Sequence, residues 1–135
     1  MERFGEKGMK ISEYALRFIG SPYAWGGDGH SGFDCSGLVL ECLWGCGLYR
    51  GGDTTAQGLR DMMRLSESWE LCSEELPDSV LFFGKDSSRI THCAVGLGGG
   101  LMVEAGGGGR DSKSGMVRIR PVEWRRDLVE AWKRV

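Results

Sequence analysis

Gly32-Phe33-Asp34-Cys35-Ser36-Gly37-Leu38-Val39 sets a cysteine between two small polar breaks, directly ahead of an apolar run that continues through Leu40, Cys42, Leu43 and Trp44. Such a run predicts a helix ending near Gly45 or Gly47. Asp34 or Cys35 then lies in the first helical turn. Backbone N–H groups there have no partner within the helix, and the dipole favours negative charge. A thiol so placed ionises below its ordinary pKa of about 8.5 and becomes a thiolate nucleophile more readily. Against this stands the ordinary fate of a free cysteine among apolar residues, which is to be a small core side chain. The rest of the chain has to choose between the two.

The bulk composition narrows the field. A length of 135 residues suits one domain, 1–135, with a real core. A formal charge of −2 gives no electrostatic footprint for nucleic acid. Apolar content of 41% with 23 glycines indicates a turn-rich globular chain. No apolar run is long enough for a transmembrane helix. Met1 to Lys7 lacks the apolar core of a signal peptide, so the expectation is a chain made in the cytoplasm that leaves, if at all, by a non-secretory route. The five cysteines, Cys35, Cys42, Cys46, Cys72 and Cys93, are odd in number and form no C-x-x-C pair. With only His30 and His92 beside them, neither a disulfide framework nor a zinc site is expected.

Outward from the cysteine, Ile11, Ala15, Phe18 and Ile19 mark an amphipathic helix over 9–19, stopped by Gly20 and Pro22. An aromatic loop with Tyr23 and Trp25 follows, then a glycine-rich turn in which His30 reads as a surface residue. Asp53 or Thr54 caps the next helix, with Gln57 completing a capping box on Thr54. Residues 66–73 give no clear signal. From Glu75 the pattern changes to strands: Ser79–Phe83, then Ile90–Leu97 and Leu101–Ala105 about the turn Gly98-Gly99-Gly100, then Met116–Arg120. Pro121–Asp127 suggests a short helix and Leu128–Trp132 a last strand. Helices first and strands second imply an α+β domain with an antiparallel sheet.

The hairpin supplies the partners a nucleophile needs. His92 shares a strand face with the small residues Ala94 and Gly96, a face against which the Cys35 helix is expected to pack. Glu104, twelve residues on, would come nearly opposite His92 across the hairpin, where its carboxylate would orient the imidazole. The competing reading of Glu104 is an ion pair with Arg110 or Arg118. Together Cys35, His92 and Glu104 make a nucleophile, a base and a group that orients the base.

These segments resemble the NlpC-type cell-wall cysteine peptidases of the papain-like superfamily. Gly20-Ser21-Pro22-Tyr23-Ala24-Trp25-Gly26-Gly27 resembles the family's G-x-P-Y-x-W-G-G. Phe33–Val39 resembles its nucleophile segment, Thr55-Ala56-Gln57 its T/S-A-Q, and Ile90–Gly96 its histidine strand. Pro77–Phe83 resembles P-G-D-L-V-F-F, altered at the glycine. The resemblance implies Cys35 as nucleophile and His92 as base, with Tyr23 binding substrate and donating to the oxyanion. It implies Asp34 and Ser36 in the pocket for the substrate's free amino end. The third polar residue, commonly His, Asn or Gln, is here Glu104. The implied reaction is hydrolysis of peptidoglycan stem peptides at the D-γ-glutamyl–L-diamino acid amide through a thioester, with no metal or organic cofactor. A bare catalytic domain of this kind suggests carriage by a phage-like particle or another lytic route. Two other readings are an amidase or acyltransferase on the same scaffold and an inactive module that binds wall peptide. The remaining cysteines, Cys93 included, read as buried bystanders.

Overall fold

The computed structural model describes residues 9–24, 28–29, 32–106 and 115–135. His30, the loop residues 25–27, Arg110 and most of the glycine tract beginning at Gly106, a candidate rim of the cleft, lie outside these. Three helices, α1 (Ile11–Leu16), α2 (Cys35–Gly45) and α3 (Ala56–Leu65), precede nearly all of the sheet. A two-stranded ribbon, β1 (Asp28–Gly29) and β2 (Gly32–Phe33), leads into α2. The main sheet contains β3 (Trp69–Cys72), β4 (Ser79–Gly84), β5 (Ile90–Gly98), β6 (Leu101–Gly106), β7 (Met116–Pro121) and β8 (Leu128–Arg134). Its order is β3-β8-β4-β5-β6-β7, with every neighbouring pair antiparallel. This is the α+β architecture with helices leading and an antiparallel sheet following.

Strands β4 to β7 form a meander, each pairing with the next in sequence. Gly98, Gly99 and Gly100 all take positive φ, which lets the β5–β6 turn close tightly. The last strand does not extend the meander. It returns across the sheet to pair with β4, and β3 then covers its outer side. The segment Pro121–Asp127 that carries the chain back holds only a 3₁₀ turn, Val122–Trp124.

The helices pack on the odd-numbered face of β5. Cys93 and Val95 share one core with Leu38, Val39, Leu43, Leu59, Phe82, Val103 and Trp132. This corrects the expectation that α2 would lie against His92, Ala94 and Gly96. Those residues face a second, smaller core with Leu81, Phe83, Met102 and Val122. Gly96 is small for another reason: a Cβ there would stand 2.6 Å from the Leu76 carbonyl oxygen and from Ser79 Oγ.

Two local features replace the expected ones. Asp78 occupies the position where the resembling motif has glycine, with φ 65°. Aspartate tolerates this region better than most residues. Its carboxylate accepts from Ser12 Oγ at 2.6 Å and Ser12 N at 3.1 Å, tying α1 to the sheet. The cap of α3 is Thr55, whose hydroxyl accepts from Gly58 N at 3.0 Å, in place of Asp53 or Thr54. Gln57 is thereby freed from a capping box. Its Oε1 accepts from Ile90 N at 2.7 Å and its Nε2 donates to Ser87 O at 2.9 Å, which fixes the entry into β5.

Candidate active site

Cys35 is the first residue of α2, and Asp34 caps the helix by accepting from Gly37 N at 2.7 Å. Ser36 Oγ donates to the same Asp34 oxygen at 3.4 Å. Leu38, Val39 and Leu43 anchor α2 in the core, so the sulfur is presented from a rigid element. It stands at the start of β5, where both His92 and Cys93 act on its ionisation. Cys35 is therefore influenced by residues that point to opposite faces of one strand.

His92 and Glu104 do come together. Counting outward from the Val95↔Val103 pair sets Glu104 beside Ala94, so His92 is a diagonal neighbour on the same face instead of the opposed one. His92 Nε2 lies 2.7 Å from Glu104 Oε1, and the two residues are only 7% and 3% exposed. An ionised carboxylate can only accept, so Nε2 donates and Nδ1 is left for the thiol. The other Glu104 oxygen is held by Arg120 Nε at 3.3 Å, and the Arg120 guanidinium lies 4.2 Å over the Trp124 ring. Arg118, a partner considered from the sequence, faces Glu104 in the ladder, but the ion pair to the second oxygen comes from Arg120, two residues on.

The charges follow from this arrangement. The Cys35 thiol is pulled down to about 4, first by a hydrogen bond from the Cys93 thiol, against the opposing effect of burial, and then by the hydrogen bond and charge of His92. Burial alone would lower the His92 pKa, but the hydrogen bonds it donates to Cys35 and Glu104, and their charges, raise it. Burial would raise Glu104; the imidazolium, Arg120 and Arg125 together lower it. These shifts all favour a thiolate–imidazolium pair, backed by a carboxylate and a guanidinium. Cys93 is 0% exposed, and burial together with the neighbouring Cys35 holds it well above its ordinary pKa, so it stays a thiol and donates. Its Sγ donates to the Cys35 carbonyl oxygen at 3.6 Å, so the carbonyl and the Cys35 sulfur share its single proton. The reading of Cys93 as a bystander is corrected: the odd strand face carries it straight to the helix start.

Tyr23 reaches the site by an edge. The chain after α1 docks along β7, with Val117 N donating to Ser21 O at 2.8 Å and Tyr23 N to Gly115 O at 2.9 Å. Phe33, just before the nucleophile, is clamped to the same segment through Phe33 N to Pro22 O and Ala24 N to Phe33 O, each 3.0 Å. Burial, with the Cys35 and Asp34 charges nearby, raises the Tyr23 pKa, so its hydroxyl keeps its proton.

Two lobes of a cleft open on either side of Tyr23. One, about 220 Å³, is lined by Asp34, Cys35, Ser36, Thr55 and Thr91 among others. The other, about 120 Å³, is lined by His92, Glu104, Gly106, Trp124 and Arg125. A larger hollow of about 550 Å³ lies away from the sulfur, between the Gly99–Leu101 turn and residues 121–128, and meets the second lobe at Arg125. Among the described residues no cluster of His, Cys, Asp and Glu is arranged to hold a metal ion, and no helix is long and apolar enough to cross a membrane.

The NlpC/P60 family model matches residues 20–132. The chain is 34% identical over 91 residues to a protein named probable endopeptidase p60 of Listeria grayi, covering 67% of this chain and 16% of that one. It is 33% identical over 125 residues to the bifunctional muramidase/DL-endopeptidase CwlT of Bacillus subtilis, covering 88% and 34%. The chain therefore spans about a third or less of these relatives' length. Among solved structures, the NlpC/p60 domain of the peptidoglycan hydrolase SagA superposes with a TM-score of 0.68 at 30% identity, covering 93% of this chain and 97% of that one. RipD of Mycobacterium tuberculosis, described as a non-catalytic NlpC/p60 protein adapted to peptidoglycan binding, shares the fold with a TM-score of 0.66 at 23% identity, covering 93% and 94%.

Proposed function

The chain belongs to the NlpC/P60 family, and from its site we infer that it is a cysteine endopeptidase acting on peptidoglycan stem peptides, at the D-γ-glutamyl–L-diamino acid amide. The observation that carries the reading is the convergence of Cys35, His92 and Glu104, with the thiol held as an anion at a helix start. A module that only binds has no need of a thiolate backed by an imidazolium.

The reaction is acyl transfer. The Cys35 thiolate attacks the carbonyl carbon, and the oxygen that becomes anionic is received by the Cys35 backbone N–H and the Tyr23 hydroxyl. His92 gives its proton to the amide nitrogen, the C–N bond breaks, and the amine leaves a thioester on Cys35. His92, now neutral, takes a proton from water as that water attacks the thioester. The acid departs and the thiolate–imidazolium pair is restored. Asp34 and Ser36 line the lobe that receives the substrate's amino end. The names of the relatives support the substrate class. Carriage by a phage-like particle, expected from the sequence, draws no support from these relatives and is not part of the proposal.

The test is mass spectrometry of peptidoglycan digested by wild type and by Cys35→Ala. New amino-terminal diamino acid fragments are expected from wild type only, with the variant reduced by more than about 1,000-fold. Equal fragment patterns would overturn the reading.

A further inference from the structure

We propose that the lobe lined by His92, Trp124 and Arg125 is the subsite for the leaving residue, and that Arg125 selects a leaving residue bearing a free carboxylate. The proposal rests on the reading of the site as a peptide hydrolase and specifies its substrate further.

The assignment of sides follows from the proton. The amine that departs must take its proton from His92, so the leaving residue lies against the imidazole and the acyl part lies on the other side of the sulfur. His92 lines the smaller lobe, whereas Cys35, Asp34 and Ser36 line the larger one. Among the described residues, the acyl lobe is lined by a carboxylate, Asp34, and by no lysine or arginine. The leaving lobe has the reverse character. Glu104, the one carboxylate among its described lining residues, has both oxygens engaged, Oε1 by His92 at 2.7 Å and Oε2 by Arg120 at 3.3 Å. Of the charged groups described there, the guanidinium of Arg125 is the one left to meet a ligand.

Arg125 is pre-set for that task. Its Nε and Nη2 bind the two oxygens of Asp127 at 3.0 and 2.9 Å, and its carbon Cζ lies 5.3 Å from the centre of the Phe83 ring. The group is therefore fixed in plane and direction on the wall of the lobe, and the bonds to Asp127 leave the Nη1 donors unused. A planar, fixed guanidinium loses little freedom on taking a carboxylate. Asp127 offsets part of the charge, and the side chain is 30% exposed, so the selectivity is moderate in size.

The test uses two tripeptides, L-Ala-γ-D-Glu-L-Lys with a free terminal carboxylate and the same peptide as its carboxamide, each assayed for release of the lysine product. Wild type is expected to favour the carboxylate by about tenfold in kcat/KM, the scale of one partly exposed charge-assisted hydrogen bond. Arg125→Met should bring the ratio to near one, and Arg125→Lys should retain part of it. The ratio is taken on one protein sample, so a loss of folded protein cancels. A wild-type ratio near one, or an undiminished ratio in Arg125→Met, overturns the subsite while cleavage of either peptide upholds the hydrolase. Cleavage of neither overturns both.

Discussion

His92 donates from Nε2 to Glu104 Oε1 at 2.7 Å, and Glu104 in turn holds Arg120 with its other oxygen. A neutral amide at position 104 could still orient the ring, but it could not balance the imidazolium. The functional form of His92 is protonated, and its pKa is raised despite burial because Cys35 and Glu104 stabilise the cation. In Glu104→Gln the cation loses that charge, so His92 should deprotonate at lower pH. The alkaline limb of the kcat/KM profile should move down, with kcat/KM at neutral pH reduced about tenfold. A pH–rate titration of both proteins measures this, and coincident alkaline limbs would refute the role of the carboxylate.

Arg120 is the less obvious member of the relay. Glu104 is nearly fully buried, and the guanidinium is its second counter-charge. Removing one partner of a buried pair leaves the other uncompensated. Arg120→Met should therefore lower unfolding free energy by about 1–3 kcal/mol and weaken activity by disturbing Glu104. In a Glu104→Gln background the same substitution should cost less, because no carboxylate remains to strand. Urea denaturation of the four proteins in the double-mutant cycle gives the coupling, and strict additivity would show that Arg120 serves Trp124 packing alone.

Much of this was legible in the chain because the signals are local. The α2 start follows from Asp34 and the apolar run, and the β5–β6 hairpin from its three glycines. What sequence reasoning missed depends on long-range placement. Whether α2 covers the odd or the even face of β5 is settled by Val95, Phe82 and Trp132, which come from three strands. The diagonal offset of His92 and Glu104 comes from a turn placed at Gly99–Gly100, beyond Gly98, and the register shift between Gly96 and Gly98 is what keeps the two on one face; alternation alone reveals neither. The competing reading of Glu104 names Arg110 or Arg118, whereas Arg120, two residues beyond the directly opposed Arg118, makes the ion pair. The β3 strand was unreadable at 66–73 because it is a half-exposed edge whose pattern, Trp69 in and Glu70 out, is only four residues long.

Cys93 makes a prediction that separates a donor from a filler. Its buried thiol is the largest influence holding Cys35 down near 4. Cys93→Val keeps the apolar packing and removes the donor, so the Cys35 pKa should rise and the acid limb should shift to higher pH. Cys93→Ser keeps a donor and should stay closer to wild type. Iodoacetamide labelling of Cys35 across pH, read by mass spectrometry of the Cys35 peptide to exclude the partly exposed Cys72, reports this directly. Labelling at pH 5–6 that is equal in wild type and Cys93→Val would remove Cys93 from the site.

Gln57 tests whether the catalytic strand needs its entry held. The side chain belongs to α3 and reaches the loop into β5, accepting from Ile90 N and donating to Ser87 O, while the same amide nitrogen donates to Asp61 on its own helix. Ile90 is two residues from His92, so slack there is passed to the imidazole along a single strand. Gln57→Ala should cost about 1–2 kcal/mol of stability for three lost hydrogen bonds, the one to Asp61 being exposed, and should lower kcat more than it raises KM, since the acyl lobe is lined by other side chains. Gln57→Glu preserves the acceptor for Ile90 N, forfeits the donors to Ser87 O and Asp61 Oδ1, and sets a second carboxylate beside Asp61. It should recover most of kcat if the bond to Ile90 is the one that positions His92. Should Gln57→Ala and Gln57→Glu lose kcat equally while differing in stability, the bond to Ile90 would be structural and the placing of His92 would rest on β4 and β6 alone.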